Sequence, residues 1–198
     1  MENKHYGPIK EVLEFLYEKI EDNTNVLEIG PGKIPFIKAT HTLGLDIDKN
    51  VKVIDIDTTP LPYPDKFFDF VYIRHVLEDI QNPDFVFKEL IRVAKKGYIE
   101  TPSPVVELSN NAESPDYKGY IHHRYIVWTK DNTLNFIPKY PIIERYSFDI
   151  DRTFLNNPIF WNNYFMWDEK TIPICKMWKN DVNFDIRNDY IKKLQESI

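Results

Sequence analysis

Glycine is scarce in this chain. There are 6 in 198 residues, less than half the roughly 7% of an average protein, and only 3 alanines. Collagen-like, Gly/Ser-linker and low-complexity classes need a dominant small or repeated residue and are excluded. Cysteine is rarer still: Cys175 stands alone, so it cannot close an intrachain disulfide or supply a multi-cysteine metal site. Positive charge is in deficit, with 25 Lys and Arg against 31 Asp and Glu and a net charge of −6. A general nucleic-acid binder displaces counterions with a basic surface, so nucleic acid is not an expected partner. No apolar run approaches the ~20 residues of a membrane-spanning helix. Met1–Lys10 is polar and lacks an apolar signal region. A reducing cytoplasm is the expected compartment.

Isoleucine and aromatic residues fill the space left by the small ones, with 13 Phe, 12 Tyr and 4 Trp. At 42% hydrophobic and 28% charged the chain can bury a sizeable core and is not a disordered segment. The length implies a single domain over 1–198. Apolar positions 9, 12, 13, 16, 17 and 20 predict an amphipathic helix over 9–21. Val26–Ile29 reads as a short strand, 35–40 as a short helix, and Leu43–Ile47, Val51–Ile56 and Phe68–Ile73 as three more strands. Phe85–Ala94 has helical spacing; Gly97 then punctuates, and Tyr98–Thr101 forms a fifth strand. Strand and helix alternating in this way build a parallel α/β sheet. After Pro104 the pattern changes. Residues 105–120 are polar and loop-like, Tyr125–Trp128 and Leu134–Ile137 read as a hairpin around Asp131-Asn132, Met166–Trp178 as a further hairpin that Pro173 demotes to a sheet edge, and 185–195 as a closing helix.

The sharpest signal is the strand that runs into Glu28-Ile-Gly-Pro-Gly32. Close glycines after a parallel strand allow a tight turn and let backbone approach a ligand at the carboxyl edge of the sheet. A dinucleotide fingerprint needs a third glycine where this chain has Pro35, so a nicotinamide oxidoreductase is disfavoured. The acid two residues before the first glycine resembles motif I, E/D-x-G-x-G, of class I S-adenosyl-L-methionine (SAM)-dependent methyltransferases. Gly44-Leu-Asp-Ile-Asp48, Asp57 with Leu61-Pro-Tyr-Pro-Asp65 and Phe68-Asp69, His75-Val-Leu-Glu-Asp79, Glu89-Leu-Ile-Arg-Val93 and Thr101-Pro102 resemble further family segments in the right order. Over about 20–104 the chain is similar to the methyltransferase type 11-like branch.

The resemblance implies a Rossmann-like three-layer fold with a mostly parallel sheet. Too few residues separate Asp46 from the strand at 51 for a helical crossover, so the edge formed by the second and third strands is expected to be reduced. It implies SAM as cofactor, held by Glu28, Gly30, Pro31, Gly32, Asp46, Ile47, Asp57, Thr58 and Arg74. Asp46 is placed for the ribose hydroxyls and Asp57 for adenine. Residues 20–104 would be the cofactor core. The strand-rich addition at 105–180 would cover the acceptor, and 185–197 would close the domain. His75, His122 and His123 are the candidate catalytic residues, because only histidine has an unperturbed pKa near neutrality. No metal is expected: neighbouring histidines are taken to point apart, with no Cys or carboxylate at ligand spacing. Members of the branch methylate small metabolites, so a small-molecule or glycan acceptor is expected, with a protein acceptor next. The alternative is a methyltransferase-like SAM-binding module without turnover.

Overall fold

A computed structural model describes residues 7–44, 52–171, 173–178 and 188–198. Helix α1 (Lys10–Lys19) precedes strands β1 (Val26–Ile29), β2 (His41–Gly44), β3 (Lys52–Val53) and β4 (Phe68–Arg74). Helix α2 (Pro83–Val93), strand β5 (Ala94–Pro102) and the single turn α3 (Pro104–Glu107) follow. The second half carries β6 (Tyr125–Lys130), β7 (Thr133–Pro138), β8 (Asn162–Trp167), β9 (Ile174–Met177) and α4 (Asp189–Gln195).

Six strands form one sheet in the order β3-β2-β1-β4-β5-β8, parallel except for β8. All four residues of β1 are buried, as expected of a central parallel strand covered on both faces. Leu16 and Ile20, from α1 and just beyond it, pack with Val26, Phe70 and Tyr72 on one face. On the other face Val86, Phe87, Leu90 and Val93 of α2 pack against Leu27, Ile29, Val71 and Ile73. The three-stranded sheet β6-β7-β9 lies on that same face through Val127, Leu134 and Phe136. Its far side, Ile126, Trp128 and Ile137, is capped by Tyr190, Ile191 and Leu194 of α4. Among the described residues no helix is long and apolar enough to cross a membrane.

Several expectations change. Residues 35–40 form turns rather than a helix. The β2/β3 edge is indeed short, with two parallel register pairs, Leu43↔Lys52 and Gly44↔Val53. The β6/β7 hairpin forms in register. The second hairpin does not: β8 joins the main sheet antiparallel to β5, and β9 pairs in parallel with β7. Gly97 is not punctuation. It lies within β5, where any Cβ would overlap the Trp167 ring of β8, so a missing side chain seats the largest one on the neighbouring strand.

Candidate functional site

The strand order reverses between β1 and β4. Open α/β sheets bind ligands outside the carboxyl ends of their strands at such a switch point. Ile29 pairs with Ile73, so Gly30 and Arg74, the last residue of β4, lie side by side at this edge. Gly30 and Gly32 hold φ of 69° and 57°, the left-handed region that side chains disfavour. A Cβ on Gly32 would meet nothing within 4 Å, so the turn is open above its second glycine. Glu28, 2% exposed, accepts the Phe36 amide through Oε1 at 2.9 Å and ties down the loop that follows the glycines. Its Oε2 is buried with no hydrogen-bond partner, and burial pushes the carboxyl above its ordinary pKa. An open glycine turn beside an unfilled buried acceptor fits a ligand that brings a positively charged donor.

A polar seam lies next to this turn. Glu100 Oε1 accepts from Arg74 Nε at 2.7 Å and from Asn162 Nδ2 at 2.8 Å. Oε2 accepts from the Tyr98 hydroxyl. Burial alone would raise the Glu100 carboxyl, but His75, Arg74 and Tyr98 more than offset it and hold the group below its ordinary value. Arg74 also donates to the Gly7 carbonyl at 3.1 Å. His75 has φ of 51°, and its amide is held by the Glu100 carbonyl at 2.8 Å. Asn162 gives its amide group to Glu100, so its Oδ1 accepts from His75 Nε2 at 3.1 Å. That assignment leaves the lone pair of a neutral ring on Nδ1. Burial, first, lowers the His75 pKa and favours the neutral ring.

His75 joins this seam to a second cluster. Its Nδ1 lies 3.8 Å from Glu78 Oε1. Glu78 is 1% exposed and neither carboxyl oxygen has a hydrogen-bond partner. Burial and then the neighbouring Asp79 push its pKa well up. Asp79 Oδ1 stands 3.7 Å from His123 Nε2. His123 Nδ1 is 2.7 Å from Glu107 Oε1, and Lys139 Nζ is 2.6 Å from Glu107 Oε2. Burial would raise Glu107, but His123 and Lys139 hold it below its ordinary value. The His122 and His123 rings meet edge-on, with centroids 4.5 Å apart. The expectation that these histidines point apart with no carboxylate nearby therefore fails: Asp79 folds back to face both of them. A cavity of about 550 Å³ opens here, lined by Gln81, His122, His123, Arg124, Tyr125 and Tyr140 among others.

The structure thus places Glu28, Gly30, Pro31, Gly32 and Arg74 at one edge, and His122 with His123 beside the cavity. Asp46 and Ile47 lie outside the described residues. Asp57 uses Oδ1 to accept the amides of Gln81 and Asn82, both at 2.8 Å, which fastens the loop before α2. Thr58 donates to Asp55 at 2.7 Å and is exposed. Sequence reasoning missed Glu100, Asn162 and Glu78. For Glu100 the signal was present: an acid within the apolar strand Tyr98-Ile-Glu-Thr101 is the same anomaly that singled out Glu28. Glu107 falls in the stretch read as polar and loop-like, yet it is buried at the centre of the second cluster.

Sheet order, switch point and glycine turn define a Rossmann-like cofactor-binding α/β fold. Residues 27–99 match the family model described as a methyltransferase domain. Over this segment the chain is similar to class I methyltransferase domains. The chain is 38% identical over 81 residues to the uncharacterized protein MJ1123 of Methanocaldococcus jannaschii, a match covering 36% of this chain and 40% of that one. It thus spans less than half the length of this curated relative. Among solved structures it is similar to a SAM-dependent methyltransferase of Mesorhizobium loti, at 17% identity and a TM-score of 0.37, over 48% of this chain and 54% of the other. A SAM-dependent methyltransferase of Aquifex aeolicus gives 20% identity and a TM-score of 0.39, over 52% and 69%.

Proposed function

We propose that this chain is a cytoplasmic SAM-dependent methyltransferase acting on a small-molecule or glycan acceptor. In this reading residues 1–198 act as one domain, with 20–104 holding the cofactor and 105–180 covering the acceptor. The observation that carries it is the Glu28–Gly32 segment at the switch point: two left-handed glycines, open space above Gly32, and a buried acceptor oxygen with no partner. When bound, SAM supplies a sulfonium methyl for in-line transfer to a nucleophile. The chain's part is to position. Gly30 and Gly32 admit the cofactor to the backbone, Glu28 Oε2 accepts from its ammonium, and the family resemblance assigns Asp46 and Ile47 to its ribose. Asp57 and Thr58 shape the adenine side through the 57–82 contact. Arg74, fixed by Glu100, holds the backbone at the β4 terminus. Holding acceptor and methyl in line is worth up to ~7–11 kcal/mol in effective concentration. Where the acceptor enters as a hydroxyl, the free Nδ1 of His75 takes its proton. His122 and His123 line the acceptor cavity, whose polar walls and modest size suit a small polar molecule.

The test is calorimetry with SAM on the intact chain, with Gly32→Ala, Glu28→Gln and Asp46→Ala. Gly32→Ala meets no neighbouring atom and costs about 1–2 kcal/mol of backbone strain, so beyond that cost it reports on the cofactor space. One molar equivalent should bind, about tenfold or more weaker in each variant, a loss of about 1.4 kcal/mol or more. Absence of binding at millimolar SAM, or three variants that bind like the parent, would sink the reading. Methyl-labelled SAM with cell extracts tests the acceptor: label should enter the small-molecule or glycan fraction, and label confined to protein would overturn that part.

A further inference from the structure

Asp79, His122 and His123 each offer one ligand atom, and the three atoms lie within 4.8 Å of one another. With His123 Nδ1 engaged by Glu107, the ring's free atom is Nε2, 3.7 Å from Asp79 Oδ1. That separation is too long for a hydrogen bond. Asp79 Oδ1 is nevertheless buried and has no hydrogen-bond partner, so the pair is an incomplete contact as it stands. Tetrahedral bonds of about 2.0–2.1 Å place ligand atoms about 3.4 Å apart. Small side-chain shifts convert the present spacing into that geometry.

The surroundings are built for the same purpose. A carboxylate on the far nitrogen of a histidine fixes its tautomer and raises its basicity toward a metal, and Glu107 occupies that place on His123. Glu107 is held in turn by Lys139 and by Gly119, where a Cβ would stand 2.7 Å from the Glu107 Cα. Lys139 balances the Glu107 charge. Arg124 Nε binds the Asp79 carbonyl at 2.9 Å rather than its carboxylate, so the Asp79 side chain stays available as the anionic ligand. Two imidazoles and one carboxylate suit zinc and its neighbours better than magnesium or calcium.

We propose that Asp79, His122 and His123 bind a divalent transition ion, zinc being the reference, with a further coordination position open to the adjoining cavity. Three protein ligands and one open position are the arrangement of catalytic rather than structural zinc sites. The proposal does not rest on the cofactor reading: the ligands lie on the loop after β4 and on the segment before β6, not in the glycine turn.

The chelator-treated 198-residue chain is titrated with cobalt(II) and then zinc(II), recording visible absorption and thermal midpoint. One equivalent of cobalt should give the intense spectrum of a low-symmetry, low-coordinate site, zinc should displace it, and zinc should raise the midpoint. His122→Ala changes an exposed residue and should fold. It and Asp79→Asn should each weaken binding about tenfold or more, while His41→Ala at the start of β2 should bind like the parent. Two results overturn the proposal: no spectrum and no midpoint shift, or one-equivalent binding that survives both His122→Ala and Asp79→Asn.

Discussion

Glu100 and Glu78 are 2% and 1% exposed at the same end of the sheet, and they are treated in opposite ways. Glu100 receives Arg74, Asn162 and Tyr98 and is held ionised, with its pKa below the ordinary carboxylate range. Neither Glu78 oxygen has a hydrogen-bond partner, and burial and then Asp79 push its pKa well above that range. Burial is the largest single influence on both. What separates them is the number of donors that the fold supplies. A buried carboxylate saturated with donors locks strands together. One without donors sits next to Asp79 and within reach of His75, where its neutrality keeps a further negative charge out of the second cluster. The seam around Glu100 is closed and structural, whereas the cluster around Asp79 and His123 faces a cavity and still has an unfilled oxygen.

The largest effect expected from this contrast belongs to Glu100→Ala. It removes the carboxylate that Arg74 Nε, Asn162 Nδ2 and the Tyr98 hydroxyl all donate to, with the Arg74 side chain only 14% exposed. Breaking a buried pair from one side costs about 3–5 kcal/mol, and urea denaturation should show a loss of that size. A loss below about 1 kcal/mol, the value of an exposed pair, would mean that the seam is not what joins β4, β5 and β8.

How much of this was legible beforehand depended on distance along the chain. Local periodicity located α1, α2 and the parallel strands within a few residues, because each buries a face set by its own spacing. Glu28 and the two glycines announced the switch point, since their peculiarity lies within one turn. The partners of β8 and β9 were not readable. Asn162–Trp167 looks like half of a hairpin, and only the empty site at Gly97 on another strand gives Trp167 its seat. The second cluster was hidden for the same reason. Asp79 follows β4, Glu107 ends α3, and Lys139 follows β7, and no spacing rule connects them. The adjacent histidines suggested divergent side chains, as they would in a strand. They lie instead in the turn before β6, where alternation does not apply.

Gly119→Ala probes the second cluster through its packing. The added Cβ would fall 2.7 and 2.8 Å from the Glu107 Cα and carbonyl oxygen, which are backbone atoms that cannot rotate away. Overpacking costs about 1–3 kcal/mol, and the φ of 59° adds about 1–2 kcal/mol for a residue with a side chain. A lowered denaturation midpoint is expected. An unchanged one would show that Glu107 is less tightly seated than its contacts indicate.

The smallest change, Glu78→Gln, tests the contrast itself. In the unfolded chain Glu78 ionises near about pH 4.3. In the fold it stays protonated well above that. The parent therefore has its full stability below about pH 4.3, and loses it as pH rises from there through the folded pKa. The slope in that window is about 1.4 kcal/mol per pH unit. Glutamine has no proton to lose, keeps the side chain neutral, and adds no volume. Subtracting the two stability profiles cancels the titrating groups that do not interact with residue 78. The variant should match the parent most closely at about pH 4 and gain on it steadily as pH rises from there toward the folded pKa of Glu78, read from urea denaturation at each pH. Parallel profiles would show that Glu78 ionises in the folded protein as it does in water. The difference between the two carboxylates would then lie in geometry alone, not in charge.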